Sequence, residues 1–324
     1  VACQRLLRLV DVRYLSVFAV PKKLIAVVGP TGTGKSDLGV NLALALIERG
    51  QPAEIVNVDS MQFYRGMDIG TAKLPIEERG GVEHHLLDWL EIRDESTAAE
   101  YQAVARPLIE EIQARGATPI LVGGSMLYIA SVLNNFDFPA RDEGLRAQLE
   151  EDLIQFGSRE LHRRLEKLDP IAASRIDSQN GRRVVRALEI VTITGEPFAA
   201  ALPETPEEWQ PSVQLGLLAE RAVLVPRLYQ RAERMWQSGL LAEAEALIPQ
   251  GIREGKTSSR AIGYAQALAQ LDGEISQTEA IEQTALLTSR YARRQMSWFR
   301  RDARINWLQF DRPDLLEAAL ELVI

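Results

Sequence analysis

Apolar residues first gather at Leu24-Ile25-Ala26-Val27-Val28, a continuous run preceded by Lys22-Lys23 and followed by a glycine-rich stretch. An unbroken apolar run, rather than an alternating one, predicts a parallel strand covered on both faces. Leu38, Leu42, Ala45 and Leu46 then recur at helical spacing until Arg49-Gly50, a cation and a glycine that close a helix. A second strand is expected at 55–59, ending in Asp59, and an irregular glycine-bearing stretch runs to Gly81. Next come a short strand at 85–87, a helix from about Thr97 to Ala114 and a third strand at 119–122. Strand and helix alternate, which places the first third of the chain in the α/β class with a parallel sheet.

Beyond Asn135 the pattern changes. Residues 141–186 carry no strand signal and read as successive helical segments, followed by a linker at 196–211 that holds Pro197, Pro203, Pro206 and Pro211. Residues 213–218 then read as a returning strand, with helices onward to about Ser297. The chain therefore divides into an extension at 1–21, a core at 22–138, an inserted all-helical module at 139–205 and a second core segment at 206–324 with an Arg-rich helix at 288–304. In the extension Leu6, Leu7, Leu9, Val10, Leu15, Val17, Phe18 and Val20 mix with Arg5, Arg8 and Arg13. An Arg-bearing transit peptide, a start placed upstream of the domain and a loosely packed extension all fit this mixture; the lack of a clean cleavage pattern favours the last two.

Composition narrows the class. With 324 residues the chain is long enough for about two domains and a substantial core without staples. Cys3 is the one cysteine, so neither an intrachain disulfide nor a Cys-based zinc site can form within this sequence, and a reducing compartment fits best. No apolar run approaches the ~18 residues of a membrane span, so no membrane partner is expected.

A formal net charge of −8 argues at first against a nucleic-acid partner. The charge is uneven, however: residues 290–304 hold Arg290, Arg293, Arg294, Arg300, Arg301 and Arg304 against Asp302 alone. Residues 187–220 hold six glutamates and no basic residue. On a helix Arg290, Arg293, Arg294 and Arg301 fall near one face, with Tyr291, Trp298 and Phe299 interleaved. Such a stripe suits RNA phosphates, or is a solvated helix face.

The chemistry begins at Gly29-Pro30-Thr31-Gly32-Thr33-Gly34-Lys35-Ser36, which fits G-x-x-x-x-G-K-[ST] between a predicted strand and a predicted helix. Its glycines let successive N–H groups curl around an anion at a helix N-terminus. Lys35 adds a charge for the phosphates, and the Ser36 hydroxyl can ligate Mg²⁺. The fold expected is thus an α/β, P-loop NTPase-like parallel sheet with an inserted all-helical module. In a P-loop NTPase a further strand normally ends in an Asp that supports Mg²⁺. Here the third strand runs into Gly123-Gly124-Ser125, and the acid is Asp59 instead. The carboxyl ends of neighbouring parallel strands share one crevice, so Asp59, Ser125 and the loop should face one another. An Asp there can hold Mg²⁺, take a proton from an acceptor, or simply form a turn.

These residues also carry a resemblance. GPTGTGKS, VDSMQFYRGMDIGTAK (58–73), EHHLLD (83–88), LVGGSMLYI (121–129), NGRRVVRALEIVTITGEP (180–197), SRAIGY (259–264) and TSRYARRQMSWFR (288–300) together resemble the tRNA isopentenyltransferase family, in family order and over about 24–310. The resemblance implies transfer of a dimethylallyl group from dimethylallyl diphosphate to N6 of the adenosine just 3′ of the anticodon, with release of diphosphate. It implies that the P-loop holds the donor's diphosphate rather than ATP, with Gly29, Pro30, Thr31, Gly32, Thr33, Gly34, Lys35, Ser36 and Arg221 around it. It also implies that Asp59 is the general base and that Lys35 and Ser125 act beside it, Ser125 standing where the family usually has Thr. The tRNA path it implies runs over Asp59, Ser60, Met61, Gln62, Ser125, Arg146, Arg182, Arg183 and Arg186, joined by Arg290, Arg293 and Arg294 of the basic stripe. Met61, Phe63 and Met126 are candidates for a prenyl wall or a stacking surface, or are core; His84 and His85 are expected to be structural.

The partners expected are therefore the tRNA anticodon stem-loop and dimethylallyl diphosphate, with Mg²⁺ as cofactor on Ser36 and a monomeric enzyme. The single cysteine, set beside this resemblance, points to the bacterial form and a cytoplasmic location. The alternatives are an isopentenyltransferase of free adenine nucleotides and a P-loop small-molecule kinase; a non-catalytic RNA-binding protein with a relic P-loop is disfavoured because Lys35, Ser36 and Asp59 are all intact.

Overall fold

The computed structural model describes residues 23–136, 138, 141–198 and 207–324. The extension at 1–21, with its competing readings, lies outside the described residues, as do Pro203 and Pro206 of the linker. In chain order the elements begin with β1 (Leu24–Val28), α1 (Lys35–Glu48), β2 (Ala53–Asn57), β3 (His84–His85), α2 (Ala98–Ala114), β4 (Thr118–Val122) and α3 (Met126–Leu133). Four helices follow: α4 (Glu143–Phe156), α5 (Ser158–Leu168), α6 (Pro170–Arg175) and α7 (Gly181–Thr194). The remainder is β5 (Ser212–Leu218), α8 (Arg221–Gln237), α9 (Leu240–Leu247), α10 (Tyr264–Leu271), α11 (Gln277–Phe299), β6 (Ile305–Gln309) and α12 (Leu315–Val323).

The chain separates into two compact units, one of Val1–Leu133 with Gln210–Ile324 and one of Asn134–Trp209. The first is built on a six-stranded parallel sheet in the order β3-β2-β4-β1-β5-β6. All five residues of β1 and of β4 are buried, as continuous apolar strands in the middle of a parallel sheet must be. From β1 the chain moves leftward through α1 to β2 and on to the edge strand β3, and from β3 it moves back through α2 to β4. Right-handed crossovers therefore put α1 and α2 on opposite faces. The crevice at the carboxyl ends of β1 and β4 is the switch point where ligands bind in such sheets. Leu38, Leu42 and Leu46 of α1 pack with Ile25, Val27, Ile120 and Val122, and Ala318, Ala319 and Leu320 of α12 join the same cluster. No described helix is long and apolar enough to cross a membrane.

The second unit holds α4 to α7 around Leu149, Leu161, Leu165, Ala172, Val184, Val185 and Leu188. Its two chain ends meet: Asn134 bridges Glu208, and the Asn135 N–H donates to the Glu207 carbonyl at 2.8 Å.

Several boundaries differ from the sequence expectation for local physical reasons. Strand β2 stops at Asn57 because the Asn57 side chain accepts from the Asp59 N–H at 3.1 Å, which turns Asp59 out of the ladder. Strand β3 covers 84–85 rather than 85–87 because Leu86 (φ 59°) and Asp88 (φ 55°) are left-handed. The edge strand β6 and α12 were not expected: Ile305 and Leu308 are buried among exposed neighbours in a charged context, a weaker signal than an apolar run. The Arg-rich helix α11 ends at Phe299, not 304. Arg301 therefore leaves the stripe, and Arg304 folds back onto Asp302.

Candidate active site

The phosphate loop joins β1 to α1 with Gly29, Gly32 and Gly34 at φ 136°, 84° and 77°. A Cβ on Gly29 would lie 2.8 Å from the Leu217 carbonyl, and one on Gly32 would lie 2.7 Å from the Leu228 side chain. These two positions thus need glycine for both backbone and space. Thr33 is buried and donates to the Pro30 carbonyl at 2.8 Å. Thr31, Gly32, Gly34, Lys35 and Ser36 line a cavity of about 710 Å³. Gly29, Pro30 and Thr33 shape the loop from behind. One N–H does not point at the anion position: Thr31 donates to the Gln295 side chain at 2.9 Å.

Lys35 Nζ donates to the Pro30 carbonyl at 2.8 Å. Burial pulls its pKa down to about 8, with the negative charge of Asp59 opposing the shift and Arg231 adding to it. Asp59, two residues past β2, lines the same cavity. Its Oδ1 accepts from the Met61 N–H at 3.1 Å, so Asp59 both forms a turn and faces the loop. Ser125, buried after β4, accepts from the Ser60 N–H at 2.8 Å and donates to Ser60 Oγ at 3.0 Å. Its hydroxyl positions the residue next to Asp59 rather than the carboxylate itself.

A second cavity of about 370 Å³ opens beside the first. Thr31, Asp59, Thr71, Arg231 and Met235 line both, while Ser60, Met61, Arg260, Thr288, Tyr291 and Arg294 line only the smaller one. The Tyr291 pKa is pushed up to about 12 by burial and by Asp59, partly offset by hydrogen bonds to Ser125 and Gln295. The Arg294 guanidinium lies 5.7 Å from the Tyr291 ring centre.

Other expected site residues fall as follows. Gln62 lines the larger cavity and reaches the Thr71 carbonyl at 3.3 Å. Phe63 is core, packed with Trp89, Tyr101 and Tyr128 at ring distances of 5.4, 5.1 and 5.6 Å. Met126 opens α3, half-buried, and lines neither cavity. His85 pairs with Glu54 at 2.7 Å as a structural residue. His84 donates to the Val82 carbonyl at 2.8 Å and also lines the larger cavity; burial, above all, lowers its pKa.

Arg221 requires a correction. It is exposed in the first turn of α8 and lines neither cavity. Ten residues along a helix is about 15 Å, and Arg231 at that position does line both. Burial lowers the Arg231 pKa while Asp59 raises it. Arg227 and Arg234 share its side of α8 and line the larger cavity. The spacing 227, 231, 234 marks one helical face and was the available signal.

The arginines of the helical unit fall into two groups. Arg146 and Arg186 both close on the fully buried Glu189, at 3.0 and 2.8 Å, and Arg146 also holds Glu150 at 2.9 Å. Their first task is thus to neutralise a buried carboxylate. Arg182 and Arg183 stand exposed in the first turn of α7, and Arg290 and Arg293 stand exposed on α11.

A phosphate loop at the switch point of a parallel sheet, with a carboxylate and arginines on two adjoining cavities, defines a P-loop enzyme. The IPP transferase family model matches residues 62–302. A tRNA dimethylallyltransferase of Thermobifida fusca is 54 % identical over 300 residues, 93 % of this chain and 94 % of that protein. The crystal structure of a full-length tRNA isopentenylpyrophosphate transferase from Bacillus halodurans is 40 % identical with a TM-score of 0.66, over 93 % of this chain and 94 % of that one. A eukaryotic dimethylallyltransferase described as acting on tRNA is 26 % identical with a TM-score of 0.75, over 93 % of this chain and 77 % of that one. This chain belongs to the IPP transferase family and is a prenyltransferase.

Proposed function

We propose that this enzyme transfers the dimethylallyl group of dimethylallyl diphosphate to N6 of the adenosine 3′-adjacent to the anticodon of tRNA, releasing diphosphate. The observation that carries the reading is that Asp59 and Arg231 belong to both cavities at once. Donor diphosphate occupies the larger cavity, against the N–H groups after Thr31, Lys35 and the arginines of α8. Adenine leaves its stack and enters the smaller one, as bases do in other enzymes that work on them.

As the allylic C–O bond breaks, negative charge grows on diphosphate, where the loop N–H groups, Lys35 and Arg231 stabilise it most. The N6 lone pair is delocalised into the ring, so the amine is a weak nucleophile that becomes acidic as it attacks. Asp59 accepts the released proton. Ser36, on the cavity wall beside Asp37 and Asp59, offers the hard oxygen donors that Mg²⁺ takes. When bound there with the diphosphate, Mg²⁺ supplies charge neutralisation of the leaving group.

Exposed Arg182, Arg183, Arg290 and Arg293 contact the tRNA backbone, and Arg294 closes the adenine cavity. A monomer in the cytoplasm suffices for this chemistry. The test mixes purified protein, Mg²⁺ and labelled dimethylallyl diphosphate with tRNA or with AMP. Label is expected in tRNA; label in AMP alone overturns the acceptor assignment.

A further inference from the structure

One side chain ties the two cavities together from behind. Gln295, on the sixth turn of α11, is 2 % exposed. Its Oε1 accepts from the Thr31 N–H at 2.9 Å and its Nε2 donates to the Gly124 carbonyl at 2.8 Å. A primary amide carries an acceptor oxygen and a donor NH₂ at opposite corners of a planar group; here the oxygen serves the half-buried Thr31 N–H and the NH₂ serves the buried Gly124 carbonyl. The two backbone groups belong to the loops after β1 and β4, which flank the switch-point crevice. A Cβ on Gly124 would lie 2.3 Å from Gln295 Nε2, so the absence of a side chain there makes the seat for the amide.

The placement has a consequence for the reaction. Thr31 lines both cavities, and Tyr291, one turn before Gln295 on the same helix, lines the smaller one. The helix that walls the adenine cavity is thus fastened at a single amide to the first corner of the anion loop. The loop positions that curl it at positive φ are Gly32 and Gly34, and these Gln295 bonds go to Thr31 and Gly124 instead.

We infer that Gln295 is a positioning residue, seated on Gly124, that sets the register between the diphosphate loop and the acceptor wall. The inference rests on the donor and acceptor assignments above. In-line displacement needs the donor carbon and the attacking nitrogen aligned, and a misplacement of about 1 Å costs on the order of 10²-fold in rate. Removing the amide leaves the anion loop and the arginines in place, so binding survives while alignment is lost.

The test compares Gln295→Ala, Gly124→Ala and the double variant in single-turnover and steady-state assays with dimethylallyl diphosphate and tRNA. Each single variant is expected to lose kcat by on the order of 10²-fold, with donor KM and tRNA Kd held near the wild-type values. The double variant should be no slower than either single one, because both remove the same contact. Losses that multiply in the double variant, an unchanged kcat in Gln295→Ala, or a fall in kcat matched by the loss of folded protein in circular dichroism would each overturn the inference. Wild-type enzyme that labels AMP and not tRNA defeats the acceptor assignment instead, and the same cycle is then read with AMP.

Discussion

The two cavities share a wall and are made in opposite ways. The larger one has one wall made by a contiguous loop, with Thr31, Gly32, Gly34, Lys35 and Ser36 in sequence order and the curl fixed by its glycines. The smaller one is assembled from six separate stretches of chain, from Thr31 to Arg294. A site made of contiguous backbone carries its geometry with it. A site made of distant side chains exists only after the sheet, α8 and α11 have packed, and it depends on pins such as Gln295.

Asp59 stands where the two meet, and its removal is expected to have the largest effect. Asp59→Ala should lose about 10² to 10⁴ in single-turnover rate, the range for loss of a general base. Binding of tRNA, read by filter retention, should persist because the smaller cavity keeps Tyr291 and Arg294. Wild-type turnover by that variant would remove Asp59 from the mechanism.

The donor side can be tested separately by pH. The Lys35 pKa lies near 8, lowered mainly by burial, so the free enzyme carries the cation below that pH and loses it above. An anionic donor binds the cationic form better, so kcat/KM for dimethylallyl diphosphate should be flat below about pH 8 and fall by up to tenfold per unit above it. In kcat the break should move upward, because bound diphosphate holds the proton on Lys35. A Lys35→Arg variant, which stays charged, should lack the break; a break that persists there belongs to another group.

The contrast also explains what could be read before any coordinates. The P-loop, Asp59, the buried strands and the helical character of 141–186 were legible because each is local: an apolar run, a glycine motif, a helical period. Arg231 was missed in favour of Arg221 because choosing between arginines on one helix requires knowing which face meets the crevice. Gln295 lay inside a motif but is uncharged, and its role depends on Thr31 and Gly124, 264 and 171 residues away. Strand β6 was missed because an edge strand is only half buried: of its five residues only Ile305 and Leu308 are buried, and they do not form a continuous apolar run.

The smallest expected effect separates arginines that meet RNA from arginines that meet protein. Arg294 is exposed at the rim of the smaller cavity. Arg146 is held by Glu150 and the buried Glu189 inside the helical unit. A phosphate contact releases counterions, so Arg294→Ala should weaken tRNA binding several-fold and reduce the slope of log Kd against log salt by about 1. Removing Arg146 instead leaves Glu189 with less compensation in a dry site, so its cost should be read as a lower melting temperature. The salt slope of the Arg146→Ala variant should then match wild type at a temperature where it is folded. A slope that drops for Arg146→Ala and stays fixed for Arg294→Ala would reverse the two roles, making the helical unit's ion-paired arginine the RNA contact and the cavity-rim arginine a structural one.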